Sequence, residues 1–150
     1  GRYIIRSMKD EYEKHPTFMN ITPWTRSVYF ELVIEDTESN VPVYLSEKIY
    51  RAIYNKMPFI VYGKKGILNI LKDLGYKTFD TLFDESYDKL GNREEKAHFI
   101  AKEIEHFCNF TEAEKHNLID SVSDIVEHNY KMLTDPNNIG KLFTNPINSR

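Results

Sequence analysis

The chain has 150 residues, 41% hydrophobic and 29% charged, the proportions of one ordinary globular domain rather than a disordered tail or a fibrous repeat. Twenty Lys plus Arg against 23 Asp plus Glu leave a net charge of -3, which supplies no general attraction to nucleic acid or to an anionic membrane. The single cysteine, Cys108, excludes an internal disulfide and a paired-cysteine metal site, leans toward a reducing compartment, and is expected to pack inside as free cysteines usually do. No run approaches the ~18 apolar residues of a membrane helix, and the start does not follow the order of a signal peptide. The sequence therefore predicts a soluble, cytoplasmic protein. It opens on Gly1-Arg2 without a methionine, as a processed product or a fragment of a longer protein would.

Residues 1–26 are polar and aromatic, with Tyr3, Ile4, Ile5, Met8 and Tyr12 near helical spacing until Pro16, which predicts a short helix and then a loop through Pro23-Trp24. Val28 to Ile34 is β-branched or aromatic with one charge, the pattern of a mostly buried strand. After Pro42, Ser46 is placed to cap a helix whose apolar positions Ile49, Ala52 and Ile53 follow i, i+3, i+4 as far as about Lys56, with Glu47 in its positive first turn. Pro58 to Tyr62 is a second short strand, Gly63-Lys64-Lys65-Gly66 a turn, and Ile67, Ile70, Leu71 and Leu74 the inner face of a further helix closed by Gly75. Lys77-Thr78-Phe79 reads as a third strand leading into Asp84-Glu85-Ser86-Tyr87-Asp88. Beyond Asn92 two helices follow. The first carries Phe99, Ile100, Ile104 and Phe107; the second opens with a Thr111/Glu114 capping box and carries Leu118 to Leu133.

Alternating strands and helices favour parallel pairing with helices on the sheet. The expected fold is α/β, a short parallel sheet flanked by helices and partly Rossmann-like. One domain spans 1–135, made of a helical segment 1–26, a βαβαβ core 27–90 and two helices in 91–135; residues 136–150 form a loosely ordered tail. Three strands are few for a doubly wound sheet, so further strands in 1–26 or a larger parent fold are the alternatives.

Ligands of parallel sheets bind beyond the carboxyl ends of the strands, where helix starts offer unpaired amides. Two segments fall there. Tyr44-Leu45-Ser46-Glu47-Lys48 combines a helix start, a hydroxyl and a lysine. Gly63-Lys64-Lys65-Gly66 offers two ammonium groups without P-loop spacing, which excludes a nucleoside-triphosphatase motif. Taken alone, the first reads more simply as a capped helix with solvated charges and the second as a turn.

The ordered set Phe30 to Thr37, Val43 to Ile53 and Met57 to Gly63 resembles the donor-binding motif of fucosyltransferase-like glycosyltransferases. In that family a strand ending in Glu-Asn precedes Tyr-Val-Thr-Glu-Lys at a helix start and then a Val-Pro-Val strand. Segments from Pro58 to Asp88 are also similar to uncharacterised phage and marine-virus proteins, so the likeness covers about residues 28 to 88. The family implies a two-Rossmann-domain (GT-B) architecture, of which this chain resembles the C-terminal, nucleotide-sugar half. By position, Lys48 would hold the diphosphate, Glu47 hydroxyls of the sugar or ribose, and Tyr44 and Ser46 would complete the contacts. Asp36 falls where the family has Asn, about two residues further from Tyr44, and a carboxylate there repels a diphosphate. Lys64 and Lys65 would be auxiliary phosphate ligands. The implied ligand is a GDP- or UDP-sugar, used as substrate with no cofactor and no divalent metal implied.

The family's general base belongs to its other domain, which 150 residues cannot also hold, so no catalytic residue is assigned and another domain or chain would supply the acceptor site. Asp84, Glu85 and Asp88 are the nearest carboxylates for acid–base work or metal contact, against a simpler role in capping helices around a packed Tyr87, which the pattern favours. His98, His106, His116 and His128 match no zinc spacing. Trp24 and Tyr29 could stack a base, although core packing is the simpler role. The expected function is that of a donor-binding domain, with a non-catalytic interaction or virion-associated module as the alternative.

Overall fold

The computed structural model describes residues 28–37 and 45–137. The expected helix within 1–26, the Pro23-Trp24 loop, Tyr44 and residues 138–150 lie outside the described residues. Among those described, the chain is α/β. It contains strands β1 (Glu31–Ile34) and β2 (Phe59–Tyr62), helices α1 (Glu47–Tyr54), α2 (Ile67–Asp73), α3 (Arg93–Cys108), α4 (Glu112–Ser121) and α5 (Ser123–Thr134), and a 3-10 helix, Glu85–Lys89. The strands pair in parallel, Glu31 opposite Phe59 through Ile34 opposite Tyr62, as a βαβ connection requires. None of the described helices is long and apolar enough to cross a membrane.

The alternation along β1 decides how α1 lies on the sheet. Glu31, Val33 and Glu35 point to one face, and α1 runs back across it. Ser46, at the helix start, bonds Glu35 beyond the carboxyl end of β1, and Arg51, a turn further on, pairs with Glu31 at its amino end. Between these polar clamps Ile49, Ala52 and Ile53 are buried against Val33 and β2, and each isoleucine removed from water contributes about 1.5–3 kcal/mol. Leu32 and Ile34, on the opposite face, are 41% and 58% exposed. Strand β2 is the inner one: Phe59, Ile60 and Val61 are all buried, and Phe59 meets Phe79 edge to face. Helix α1 also packs on α5, and α3 packs on β2 and the 3-10 helix.

Three expectations are corrected. Lys77-Thr78-Phe79 is not a strand. Its backbone is satisfied by side chains instead: the Lys77 N–H donates to Asn129 Oδ1 at 2.8 Å and Asn129 Nδ2 donates to the Lys77 carbonyl at 2.9 Å. Thr78 Oγ1 and the Phe79 N–H donate to the Glu85 carboxylate at 2.6 and 3.2 Å. A carboxamide presents one acceptor and one donor, as a neighbouring strand does, so Asn129 of α5 stands where a third strand was expected. The last helix is also two helices. It breaks at Val122, which is wholly buried and anchors the corner between α4 and α5. The Thr111/Glu114 capping box is present, and Gly75 ends α2 with φ +95°, where a β-carbon would fall 2.8 Å from Met132 Cε. Cys108, expected inside, is exposed because the neighbouring Phe107 takes the inward position.

Asn129 is 1% exposed, so truncating it leaves the half-buried Lys77 N–H and carbonyl without their partner. Asn129→Ala is expected to lower stability by about 2–4 kcal/mol, read from the urea midpoint. A loss below about 0.5 kcal/mol would show that the 77–79 segment does not depend on α5.

Candidate functional site

Both strands point their carboxyl ends to one side, and the chain after each supplies the polar groups found there. The β1 ladder is extended by the Glu35 N–H donating to the Tyr62 carbonyl at 2.8 Å. Gly63 follows β2 so closely that a β-carbon on it would lie 3.3 Å from Glu35 Cβ and 3.0 Å from Ile67 Cδ1. Hence the start of α1 and the Gly63–Gly66 turn are neighbours, as the sequence predicts for one sheet end.

The residue that caps α1 is itself bonded to a buried carboxyl group of the chain. Ser46 caps the helix by accepting from the Lys48 N–H at 3.1 Å. The Ser46 hydroxyl and N–H in turn donate to Glu35 Oε1 at 2.7 and 3.2 Å. Glu35 is 5% exposed, and burial pushes its pKa up, with the Ser46 bonds and the nearby Lys48 charge pulling the other way. A buried carboxyl group thus engages the cap residue beside the amides where a phosphate was expected. Glu47 and Lys48 form a surface ion pair with each other at 3.2 Å, and Asp36 is exposed. The sequence did not single out Glu35, which opens the acidic, small-residue run from Glu35 to Asn40. Its place at the strand end, in phase with Glu31 and Val33, was the available signal.

The turn after β2 lies against a different group. A cavity of about 340 Å³ is lined by Thr37, Tyr62, Gly63, Lys64, Lys65, Gly91, Arg93 and Lys96. Four of these side chains are cationic and none is a carboxylate. Lys64 and Lys65 come from the predicted basic turn; Arg93 and Lys96 come from the first turn of α3, and nothing in the sequence reading had assigned them. Lys96 is 3% exposed and its ammonium donates to the Gly63 carbonyl at 2.7 Å. Burial pushes its pKa down, partly offset by the Asp88 carboxylate. Arg93 Nη2 donates to the Thr37 carbonyl at 2.9 Å, tying α3 to the chain beyond β1. Ser46, Glu47, Lys48 and Asp36 do not line this cavity, so the expected residues divide between an α1 start sealed by Glu35 and an open basic cavity beside it.

The acidic cluster serves the backbone, as the simpler of its two readings expects. Asp88 Oδ2 accepts from the Leu68 N–H at 3.3 Å and its carbonyl from the Gly66 N–H at 3.0 Å, capping α2 from a distance because Gly66 has no side chain to do so. Asp84 accepts from the Ser86 N–H at 2.9 Å and caps the 3-10 helix. Glu85 holds Thr78 and Phe79, and the buried Tyr87 takes the Val61 N–H on its hydroxyl at 3.2 Å. A second, more open cavity of about 640 Å³ is lined by Asp80, Asp84, Glu85 and Glu103 together with Lys72, Lys89 and His106, so carboxylates outnumber lysines there. Among the described residues no group of three or more His, Cys, Asp or Glu is placed to hold a metal ion. No family model, curated protein or solved structure matches the chain.

Glu35 generates a test with a definite sign. Its folded pKa is raised above the ordinary 4.5, so the folded state holds the proton more tightly than the unfolded one and stability contributed by the protonated form is lost as pH rises through that window. The stability advantage of the wild type over Glu35→Gln, measured by urea unfolding, is expected to shrink as pH rises from about 4 to above the raised pKa and then to level off. A difference that grows over this range would mean that the buried carboxylate is stabilised in its charged form.

Proposed function

We propose that this chain binds the diphosphate of a nucleotide sugar, as the donor-binding half of a GT-B, glycosyltransferase-like protein whose acceptor domain and catalytic base lie elsewhere. The observation that carries the reading is the cationic cavity at the carboxyl end of a parallel strand pair. That is where α/β sheets bind phosphorylated ligands, and four positive side chains there complement a diphosphate. The resemblance of residues 28 to 88 to the fucosyltransferase-like donor motif supports it independently. In this reading Lys64 and Lys65 hold phosphate oxygens, and Glu47 and Lys48, at the neighbouring start of α1, approach the sugar or ribose. Glu35 falls where the motif has Glu, and here it is buried against Ser46. With the α1 cap residue Ser46 held by that carboxyl group, the diphosphate sits nearer the turn after β2.

A non-catalytic interaction module is the second reading, favoured by the exposed apolar face that Leu32 and Ile34 give β1. Calorimetric titration with GDP- and UDP-sugars separates the two. Donor binding predicts heat at sub-millimolar ligand, a loss of at least tenfold in affinity for Lys64→Ala/Lys65→Ala, and a smaller loss for Lys48→Ala. No heat at millimolar concentration of any such ligand overturns the donor-binding reading.

A further inference from the structure

The basic cavity contains a pair of charges that helix physics disfavours. A helix N-terminus carries partial positive charge, so acidic residues belong in the first turn and cations in the last. Helix α3 has Glu94 and Glu95 in its first turn as expected, yet its first residue is Arg93 and its fourth is Lys96. Spaced i, i+3, these two lie on one face, and that face lines the cavity. Asn92 caps the helix through the Glu95 N–H at 3.0 Å, so neither cation is needed to end it.

Lys96 is also held where lysines are seldom found. It is the one lysine among the buried polar residues described, and a buried ammonium needs polar partners to offset its desolvation. The Gly63 carbonyl takes one of its three donors, and Asp88 lies near enough to act on it electrostatically. The bond to Gly63 fixes the beginning of the basic turn and the Asp88 carbonyl holds its end at Gly66, so Lys64 and Lys65 are presented from a turn clamped at both ends. Four cations around about 340 Å³ repel one another, and an arriving anion relieves that repulsion.

We propose that Arg93 and Lys96 are the phosphate anchors of this cavity, gripping a diphosphate between the first turn of α3 and the Gly63–Gly66 turn. This rests on the donor-binding reading above and assigns the diphosphate to residues outside the segment that resembles the glycosyltransferase motif. Lys96 supplies a point charge from the floor of the cavity, and Arg93 a planar fork at its rim that already reaches across to the Thr37 carbonyl.

The test is calorimetric titration of the whole chain with inorganic pyrophosphate, GDP and UDP, for the wild type and for Arg93→Gln, Lys96→Gln and Lys102→Gln. Lys102, exposed on the same helix, carries the same charge and does not line the cavity. The expected result is a loss of at least tenfold in pyrophosphate affinity for Arg93→Gln and for Lys96→Gln, and less than a twofold change for Lys102→Gln. Arg93 is exposed, so its variant reports on binding even if Lys96→Gln fails to fold by circular dichroism. Pyrophosphate binding that survives Arg93→Gln unchanged, or an equal loss in all three variants, overturns the assignment while leaving donor binding in place. A wild type that binds none of the three ligands at millimolar concentration overturns the donor-binding reading, and this assignment with it.

Discussion

A pair of four-residue parallel strands leaves most of its backbone polar groups to find partners outside the ladder, and buried backbone groups without partners cost more than a typical hydrogen bond returns. In this chain side chains from distant elements fill that role. Tyr87 accepts the outward N–H of Val61, Lys96 donates to the carbonyl of Gly63, and Asp88 receives the first amides of α2. Glu35 seals the α1 cap through Ser46, while Asn129 and Glu85 complete the extended segment after Gly75. Nearly all of these residues are buried, and most join segments more than ten residues apart in sequence. The small sheet is therefore held by a polar frame around an aromatic core rather than by strand pairing alone.

The same frame shapes the carboxyl end of the sheet. An open α/β sheet ordinarily leaves its helix N-termini free for ligand anions. Here the Ser46 hydroxyl, itself held by Glu35, accepts the Lys48 amide of α1 and Asp88 accepts the Leu68 amide of α2, so an internal carboxyl group stands beside each helix start. What stays open is the region bounded by the Gly63–Gly66 turn and the start of α3, where the charge is reversed. Internal carboxylates at the helix starts and cations around the neighbouring cavity are complementary arrangements, since each keeps opposite charges close and like charges apart along one sheet edge.

The aromatic residues explain why so small a sheet supports a stable interior. Phe59 and Phe79, Phe30 with Phe83 and Phe107, and Tyr87 with Phe99 meet edge to face or tilted, the geometries that ring quadrupoles favour. They join β2, the loop around Phe79 to Phe83 and α3 into one cluster. Lys56 of the β2 approach pairs with Glu127 and sits over the Tyr130 ring, extending the contact between α1 and α5 out to the surface.

The elements whose signals are local were legible in the sequence. Periodicity located β1, β2, α1 and α2, the Thr111/Glu114 pair marked the start of α4, and Gly75 marked the end of α2, because hydrophobic spacing, caps and positive φ depend on neighbours within a turn or two. The basic turn at Lys64-Lys65 was visible for the same reason. The third strand failed because Lys77 to Phe79 has strand-like residues but its partner is a carboxamide 52 residues away, and the break at Val122 failed because an apolar stripe does not reveal a corner. Arg93 and Lys96 were hidden in a helix whose charges read as solvated, and Glu35 in an acidic run. The sequence by itself determined the α/β class of the fold and the order β1, α1, β2, α2, since these follow from short-range patterning. Only the tertiary structure decided which charges seal helix starts and which line an open cavity, because that depends on burial and on contacts between residues tens of positions apart.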